Sequence, residues 1–246
     1  MSFGYTMLGF GASQNDAYAP GMMTHNGSSY YEDTSQAYSG NLVTAVARFN
    51  VASFSGGSIQ RMSNHYGVSG YTRVTFINYS NDHATTANRD KLRVFCRDSS
   101  DATICDLLTD VTVCDSTDHV VFFSYSAAAG TAILYIDGVD ADDTGYASRV
   151  LTTGTLNAGT GATFVGSFSA AAQFTIGDIG YYGQHDVYLT NPTDFYHPTN
   201  GLQEIDESGW TEWGSQPLYW NQYGKMDDNK GSAGNMTANG TITGPA

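Results

Sequence analysis

The chain has 246 residues, 41% of them hydrophobic, and a formal net charge of −14. The hydrophobic fraction supports a folded core and argues against a disordered chain. The negative charge disfavours direct nucleic-acid binding, because a phosphate backbone needs a basic surface. No run of about twenty apolar residues is present, so we predict no membrane span.

Residues 1–40 contain many glycines and predict an irregular N-terminal arm. From residue 42, runs rich in β-branched and aromatic residues recur at intervals of roughly ten to fifteen residues, a pattern typical of an antiparallel sandwich. These runs are LVTAVARFNVASF, SIQRMSN, YTRVTFINYS, DKLRVFCRD and LLTDVTVCD. Residues 191–246 hold all three tryptophans and predict an ordered but irregular C-terminal extension, ending in a hairpin at Asn239-Gly240.

Two later segments carry a resemblance. Residues 118–138, DHVVFFSYSAAAGTAILYIDG, predict two strands joined by a turn and closed by Asp137-Gly138. Residues 173–190 read QFTIGDIGYYGQHDVYLT. In order and spacing the two segments resemble the concanavalin A-like lectin/glucanase superfamily, in particular its laminin-G-like branch. The matching residues are Tyr135, Asp137 and Gly138 in the first motif and Ile176, Gly177, Ile179, Gly180 and Tyr188 in the second. The resemblance implies an all-β fold, a concanavalin A-like antiparallel β-sandwich (jelly roll) over residues 41–190.

The chain's origin is predicted from its ends and its cysteines. The first basic residue is Arg48, so the N-terminal segment lacks the positive region of a secretory signal. Cys96, Cys105 and Cys114 are an odd number, which predicts free and mostly buried thiols in a reducing compartment.

The stretches Gly9–Ala12 and Asn229–Thr243 resemble those of bacteriophage virion proteins with laminin-G-like domains. That resemblance implies a non-enzymatic virion structural protein, a capsid decoration or tail-associated protein assembled in the host bacterial cytoplasm. Its partners would be other virion proteins and copies of itself. The alternative is a carbohydrate-binding adhesin or lectin module that recognises host-surface glycans.

Glycoside hydrolysis is disfavoured. Retaining members of the superfamily use a Glu-x-Asp-x-Glu strand, whose alternation puts both glutamates on one face. Here the matching stretch is Glu204-Ile205-Asp206-Glu207-Ser208. A serine at the acid/base position cannot protonate a leaving glycoside, so the sequence predicts no enzyme.

Calcium is the one cofactor that the sequence suggests. Asp137, Asp140, Asp142 and Asp143 supply hard oxygen ligands near a turn, where laminin-G-like folds often hold this ion. The competing interpretation is a solvated hairpin tip. A second candidate is the stretch 227–229, Asp-Asp-Asn.

The aromatic residues of the extension allow three interpretations: packing onto the sandwich, a contact between subunits, or stacking on a glycan. For a glycan, hydroxyl partners would be Glu212, Asn221 and Gln222. The aromatic residues are Trp210, Trp213, Tyr219, Trp220 and Tyr223.

Strand-like alternation in DKLRVFCRD puts Lys91, Arg93 and Arg97 on one face, with Phe95 between the two arginines. This basic stripe would either contact an acidic neighbour, such as the C-terminal half of another copy, or be a solvated sheet face paired with local aspartates.

Overall fold

A computed structural model describes residues 20–38, 40–53, 60–66, 72–78, 85–157, 159–167, 169–170 and 173–244. The regular secondary structure of this part of the chain consists almost entirely of antiparallel strands. Numbered along the chain, the strands are β1 (Met23–Asn26), β2 (Tyr30–Asp33), β3 (Ala37–Tyr38), β4 (Leu42–Asn50), β5 (Gln60–Tyr66), β6 (Thr72–Asn78), β7 (Lys91–Arg97), β8 (Thr103–Thr112), β9 (Asp118–Ser126), β10 (Thr131–Ile136), β11 (Val139–Asp140), β12 (Tyr146–Leu151), β13 (Gly159–Thr160), β14 (Thr163–Val165), β15 (Ile176–His185), β16 (Tyr196–His197), β17 (Gly201–Leu202), β18 (Tyr219–Asn221) and β19 (Thr237–Asn239). One short helix, α1, covers Ala141–Thr144, and 3₁₀ turns cover Thr86–Asn88, Pro192–Asp194 and Met226–Asp228.

Two sheets form the sandwich that the sequence predicts. The front sheet has the order β1-β15-β4-β9-β10-β11, with β18 also paired to β15. The back sheet has the order β12-β8-β7-β6-β5-β14-β2-β19. Short pairs β3–β13 and β16–β17 lie outside these two sheets. The described residues contain no helix long and apolar enough to cross a membrane.

Alternation along the strands separates two hydrophobic layers. In β4, Val43, Ala45 and Phe49 point into the core between the two sheets. Val46 belongs instead to a second cluster on the outer face of the front sheet. Neighbouring β9 repeats the pattern, with Phe123 in the inner core and Phe122 in the outer cluster. The front sheet is therefore apolar on both faces, and both faces need a cover.

The C-terminal extension is that cover. Phe195, Leu202, Ile205, Trp213 and Trp220 pack on the outer face of the front sheet. Polar anchors fix the layer as well. The Tyr181 hydroxyl donates to the Gln203 carbonyl at 2.6 Å, and the Leu189 amide donates to the Ser124 hydroxyl at 3.0 Å. The molecule thus has three layers: back sheet, front sheet and extension.

The structure differs from the predicted arm and extension boundaries. β1 pairs with β15, and β2 pairs with β14 and β19, so residues 23–33 belong to the sandwich rather than to an irregular arm. The first nineteen residues of the predicted arm lie outside the described residues. Strands of three or four residues carry too little alternation to be seen in the sequence.

The predicted C-terminal hairpin is replaced by a different arrangement. β19, before the turn at Gly240, pairs with β2, whereas Thr243, after the turn, forms a bridge with Thr24. The two segments therefore extend separate strands and do not pair with each other. Because those pairings join residues about 200 positions apart, no local sequence pattern predicts them.

Candidate functional site

A polar pocket of about 510 Å³ opens on the extension. It forms where the coil at residues 204–207 approaches Glu212 and the residue that follows β18, Gln222. Ile205 anchors this coil, because its side chain is only 6% exposed and packs in the outer cluster. The lining residues are Glu204, Ile205, Asp206, Glu207, Glu212 and Gln222.

Three of the four lining carboxylates are held by named partners. Glu207 Oε1 accepts from the Trp220 indole N–H at 2.9 Å. Asp206 Oδ1 accepts from the Ser208 hydroxyl at 2.6 Å and from the Ser208 amide at 2.9 Å, and these bonds lower the pKa of Asp206. Glu212 Oε1 accepts from the Asp206 amide at 3.5 Å. The pocket is therefore walled by carboxylate oxygens, hydrogen-bond acceptors whose positions are fixed by these contacts.

One buried acceptor of this pocket has no hydrogen-bond donor within the described part of the chain. It is Glu212 Oε2, a buried atom. A buried carboxylate oxygen without a partner carries a desolvation cost of about 1–3 kcal/mol. A hydroxyl or ammonium group entering the pocket would remove that cost.

The five aromatic residues of the extension fall into two groups. Trp213, Tyr219 and Trp220 are at most 1% exposed, so none of them can stack on a sugar. Trp210 is half-buried and its amide donates to the Asp206 carbonyl at 2.7 Å. Tyr223 is 38% exposed and directly follows Gln222. The three buried rings attach the extension, and the two more exposed aromatic residues neighbour the lining residues along the chain without lining the pocket themselves.

Comparison with solved structures identifies the fold. The heptameric SAP-like pentraxin from Limulus polyphemus matches with a TM-score of 0.60 and 10% identity, over 92% of this chain and 94% of that one. A candidate carbohydrate-binding protein from Bacteroides ovatus matches with a TM-score of 0.60 and 14% identity, over 92% of this chain and 60% of that one. The chain has the concanavalin A-like lectin fold. Domains LG4-5 of the mouse laminin alpha1 chain give a TM-score of 0.48 at 12% identity, over 68% of this chain and 41% of that one. No protein-family model matches, and no curated protein matches the sequence.

The Glu-x-Asp-x-Ser stretch does not lie in a strand of this concanavalin A-like sandwich. Glu204, Asp206 and Ser208 are exposed residues of the coil that lines the pocket. Ser208 donates to Asp206 rather than facing a second carboxylate. The geometry of a retaining glycosidase, two carboxyl groups on one strand face, is not reproduced by this stretch.

The predicted calcium aspartates are not gathered into a site. Among the described residues, no group of three or more His, Cys, Asp or Glu side chains could hold a metal ion. Asp140 caps α1 by accepting from the Asp142 amide at 2.9 Å, and Asp142 pairs with Arg149 at 3.5 Å. Asp143 is exposed in the same helix. This segment is therefore a capped helix start that follows the β10–β11 hairpin, rather than the solvated hairpin tip that was the alternative interpretation.

Asp137 of the concanavalin A-like motif has a structural role. Its Oδ1 accepts from the Val120 amide at 2.7 Å and its Oδ2 contacts His119 Nδ1 at 2.7 Å. His119 Nε2 also lies 3.1 Å from Asp115. Burial lowers the pKa of His119, but hydrogen bonds and charge from Asp137 and Asp115 outweigh it and raise the pKa above 6.5. The motif residue fastens the end of β10 to β9.

The second calcium candidate is also occupied by local bonds. Asn229 Oδ1 accepts from the Trp220 amide at 2.9 Å, and Asn229 Nδ2 donates to the Ala233 carbonyl at 2.7 Å. Asp228 pairs with Lys230 at 2.7 Å, and Asp227 is exposed. Asn221, predicted to bond sugar hydroxyls, is 2% exposed and organises the same turn by accepting from the Tyr223 amide at 2.8 Å.

The basic stripe lies on the outer face of the back sheet and is neutralised locally. Lys91 pairs with Asp110 at 2.7 Å, Arg93 pairs with Asp106, and Arg97 pairs with Asp101. Both arginines also stack on Phe95, at 4.7 Å and 4.8 Å from the ring centroid. This arrangement matches the solvated, aspartate-paired interpretation, and such surface pairs each contribute about 0–1 kcal/mol.

Proposed function

We propose that the chain is a non-enzymatic, lectin-type module that binds carbohydrate in the pocket at residues 204–212. The observation that carries the proposal is a pocket of placed acceptors on a concanavalin A-like fold, with a buried unpaired oxygen at Glu212. Two aromatic residues that are not fully buried, Trp210 and Tyr223, lie close to the lining residues along the chain. Sugars present hydroxyl donors along their edges and apolar C–H faces above and below the ring. Sites of this kind combine a few polar groups that set orientation with apolar surface.

The charge of the pocket narrows the ligand class. Four carboxylates line it, and no lysine or arginine does so among the described residues. Uronic, sialic and sulfated sugars would be repelled, because like charges at close range are unfavourable. Neutral sugars, which donate hydroxyl groups to carboxylates, are the expected ligands. The likeness to the Bacteroides ovatus protein, whose name describes carbohydrate binding, supports a carbohydrate ligand in general.

The test is a glycan array followed by calorimetry on the best ligand, with and without calcium. We expect Trp210→Ala and Glu212→Gln each to weaken binding by about tenfold, the equivalent of one lost stacking or hydrogen-bonding contact. Asp143→Asn, which removes an exposed carboxylate on α1, is the matched control and should bind as the unmodified protein does. Absence of any ligand at millimolar sensitivity would overturn the proposal, and so would equal binding by all three variants.

A bacteriophage virion is the second context that we propose for this module, as a capsid decoration or tail-associated protein. It rests on the likeness of Gly9–Ala12 and Asn229–Thr243 to phage proteins, together with three buried thiols suited to folding in a reducing cytoplasm. Its partners would be other virion proteins and copies of itself.

The mass in solution tests this second proposal. We expect light scattering on the purified full chain to give a defined oligomer of a few subunits, unchanged by calcium. A monomer at all concentrations would contradict self-assembly. Because glycan binding by the pocket requires no second copy, the two proposals succeed or fail independently.

A further inference from the structure

Two of the three cysteines face each other across neighbouring strands. Cys96 of β7 and Cys105 of β8 are register partners in the back sheet. Both are 0% exposed and both belong to the core between the sheets, so their side chains lie on the same face. Val94 and Leu107, two residues along each strand, form the next pair on that face.

The backbone geometry of this pair suits a disulfide. Directly opposed residues of an antiparallel ladder have Cα atoms about 4.5–5.5 Å apart. Disulfides span Cα distances of about 4.4–6.8 Å. The register therefore places the two cysteines at paired positions whose typical Cα separation lies within the range that a disulfide spans.

We propose that Cys96 and Cys105 are a cross-strand dithiol that closes to a disulfide when the folded protein meets a small peroxide oxidant. One thiolate attacks hydrogen peroxide, and protonation of the leaving hydroxide gives a sulfenic acid and one water. The second thiol then attacks the sulfenic sulfur, forms the S–S bond and releases a second water. Two thiols are oxidised and one peroxide is reduced, so atoms and electrons balance. The inference does not depend on the proposed function.

Burial makes this site slow to react and hard to reverse. Interaction with the neighbouring Cys96 side chain and burial both raise the pKa of Cys105, so little of the nucleophilic thiolate is present at neutral pH. The pair therefore stays reduced while thiol reductants dominate. Once formed, the bond is shielded from large thiols by the same burial. It also closes the chain around residues 97–104, which restricts the unfolded state.

Cys114 provides the internal control. It is also buried, and burial raises its pKa to about 12, but it lies beyond the end of β8 and outside the cross-strand pair. A nonspecific oxidation would treat it like the other two. The proposal predicts that it keeps its thiol.

The experiment is thiol counting by intact mass. The reduced, folded protein is treated with hydrogen peroxide, quenched, unfolded and alkylated with iodoacetamide. We expect one alkylated cysteine instead of three, a Cys96–Cys105 cross-linked peptide after digestion, and a rise in Tm of about 5–10 °C. Cys114→Ala should retain the cross-link and lose the remaining alkylation.

Three other results of this experiment would contradict the proposal. Three alkylated cysteines, under conditions that oxidise the urea-unfolded chain, would overturn it. A disulfide that includes Cys114, or oxidation of Cys96 and Cys105 to sulfinic acids, would do the same. Cys105→Val, which keeps an apolar side chain in the core, should lose the cross-link and the rise in Tm. The peptide mapping of the unmodified protein stands even where a variant fails to fold.

Discussion

Replacing Trp220 by alanine is expected to lower the free energy of unfolding by about 3–5 kcal/mol, the range for a large aromatic residue removed from a core. The ring is 1% exposed and packs edge-on against Tyr181, with centroids 4.8 Å apart. It lies opposite Gly183, where a Cβ would come within 2.8 Å of Trp220 and 2.5 Å of Trp213. The truncation therefore leaves a cavity between the extension and the front sheet. Urea unfolding monitored by circular dichroism measures the change.

Tyr223→Ala is the control for this substitution. The residue is an aromatic of the same extension but is exposed, and its loss should change the free energy of unfolding by less than about 0.5 kcal/mol. Limited proteolysis adds a second measurement, because a detached extension should be cut first between residues 191 and 218. A loss below about 1 kcal/mol for Trp220→Ala would show that the extension is not held by this cluster.

Asp137→Ala is expected to cost about 2–4 kcal/mol, the second largest effect. It removes the acceptor of the Val120 amide, and a buried donor left without a partner costs about 1–3 kcal/mol. Asp137 also has φ of +53°, a left-handed conformation that aspartate tolerates better than alanine. Thermal and urea unfolding at neutral pH measure the combined loss.

Asp137→Asn separates hydrogen bonding from charge. The amide oxygen still accepts from Val120, so this variant should lose less than Asp137→Ala. Since Asp137 helps to raise the pKa of His119 above 6.5, its charge stabilises the fold while the histidine is protonated. That contribution is complete below about pH 6.5 and disappears as the pH rises through the folded-state pKa. The stability difference between the unmodified protein and Asp137→Asn should therefore shrink as the pH rises above about 6.5. A constant difference would contradict the charge pairing.

The sandwich was predictable because its long strands carry their pattern locally. In β7, Leu92, Val94 and Cys96 alternate with a face that carries basic residues and Phe95, and their burial follows the predicted face. The Tyr135–Gly138 motif lies at the end of β10 as the resemblance implies. In both cases the signal and the structure that it specifies occupy the same few residues.

The site was less predictable because it depends on contacts between distant segments. Glu204 and Glu212 were singled out for different reasons, and only the folded extension brings both to one pocket with Gln222. An aspartate such as Asp140 can bind a metal, form an ion pair or cap a helix, and the sequence alone does not decide among these roles. Its role as a helix cap depends on the backbone of α1. Burial of Trp213 against the front sheet likewise depends on apolar residues at the outer face of β4 and β9.

The pairing of β2 has a consequence for folding during synthesis. β2 is made among the first described residues, yet its two neighbours are β14 and β19, the latter about 200 residues later in the chain. At about 5–20 residues per second, a ribosome needs about 10–40 s to deliver that last partner. During this interval the early strands have unpaired edges and an uncovered apolar face. The nascent chain is thus exposed to aggregation until residues 237–239 have been synthesised and have paired with β2.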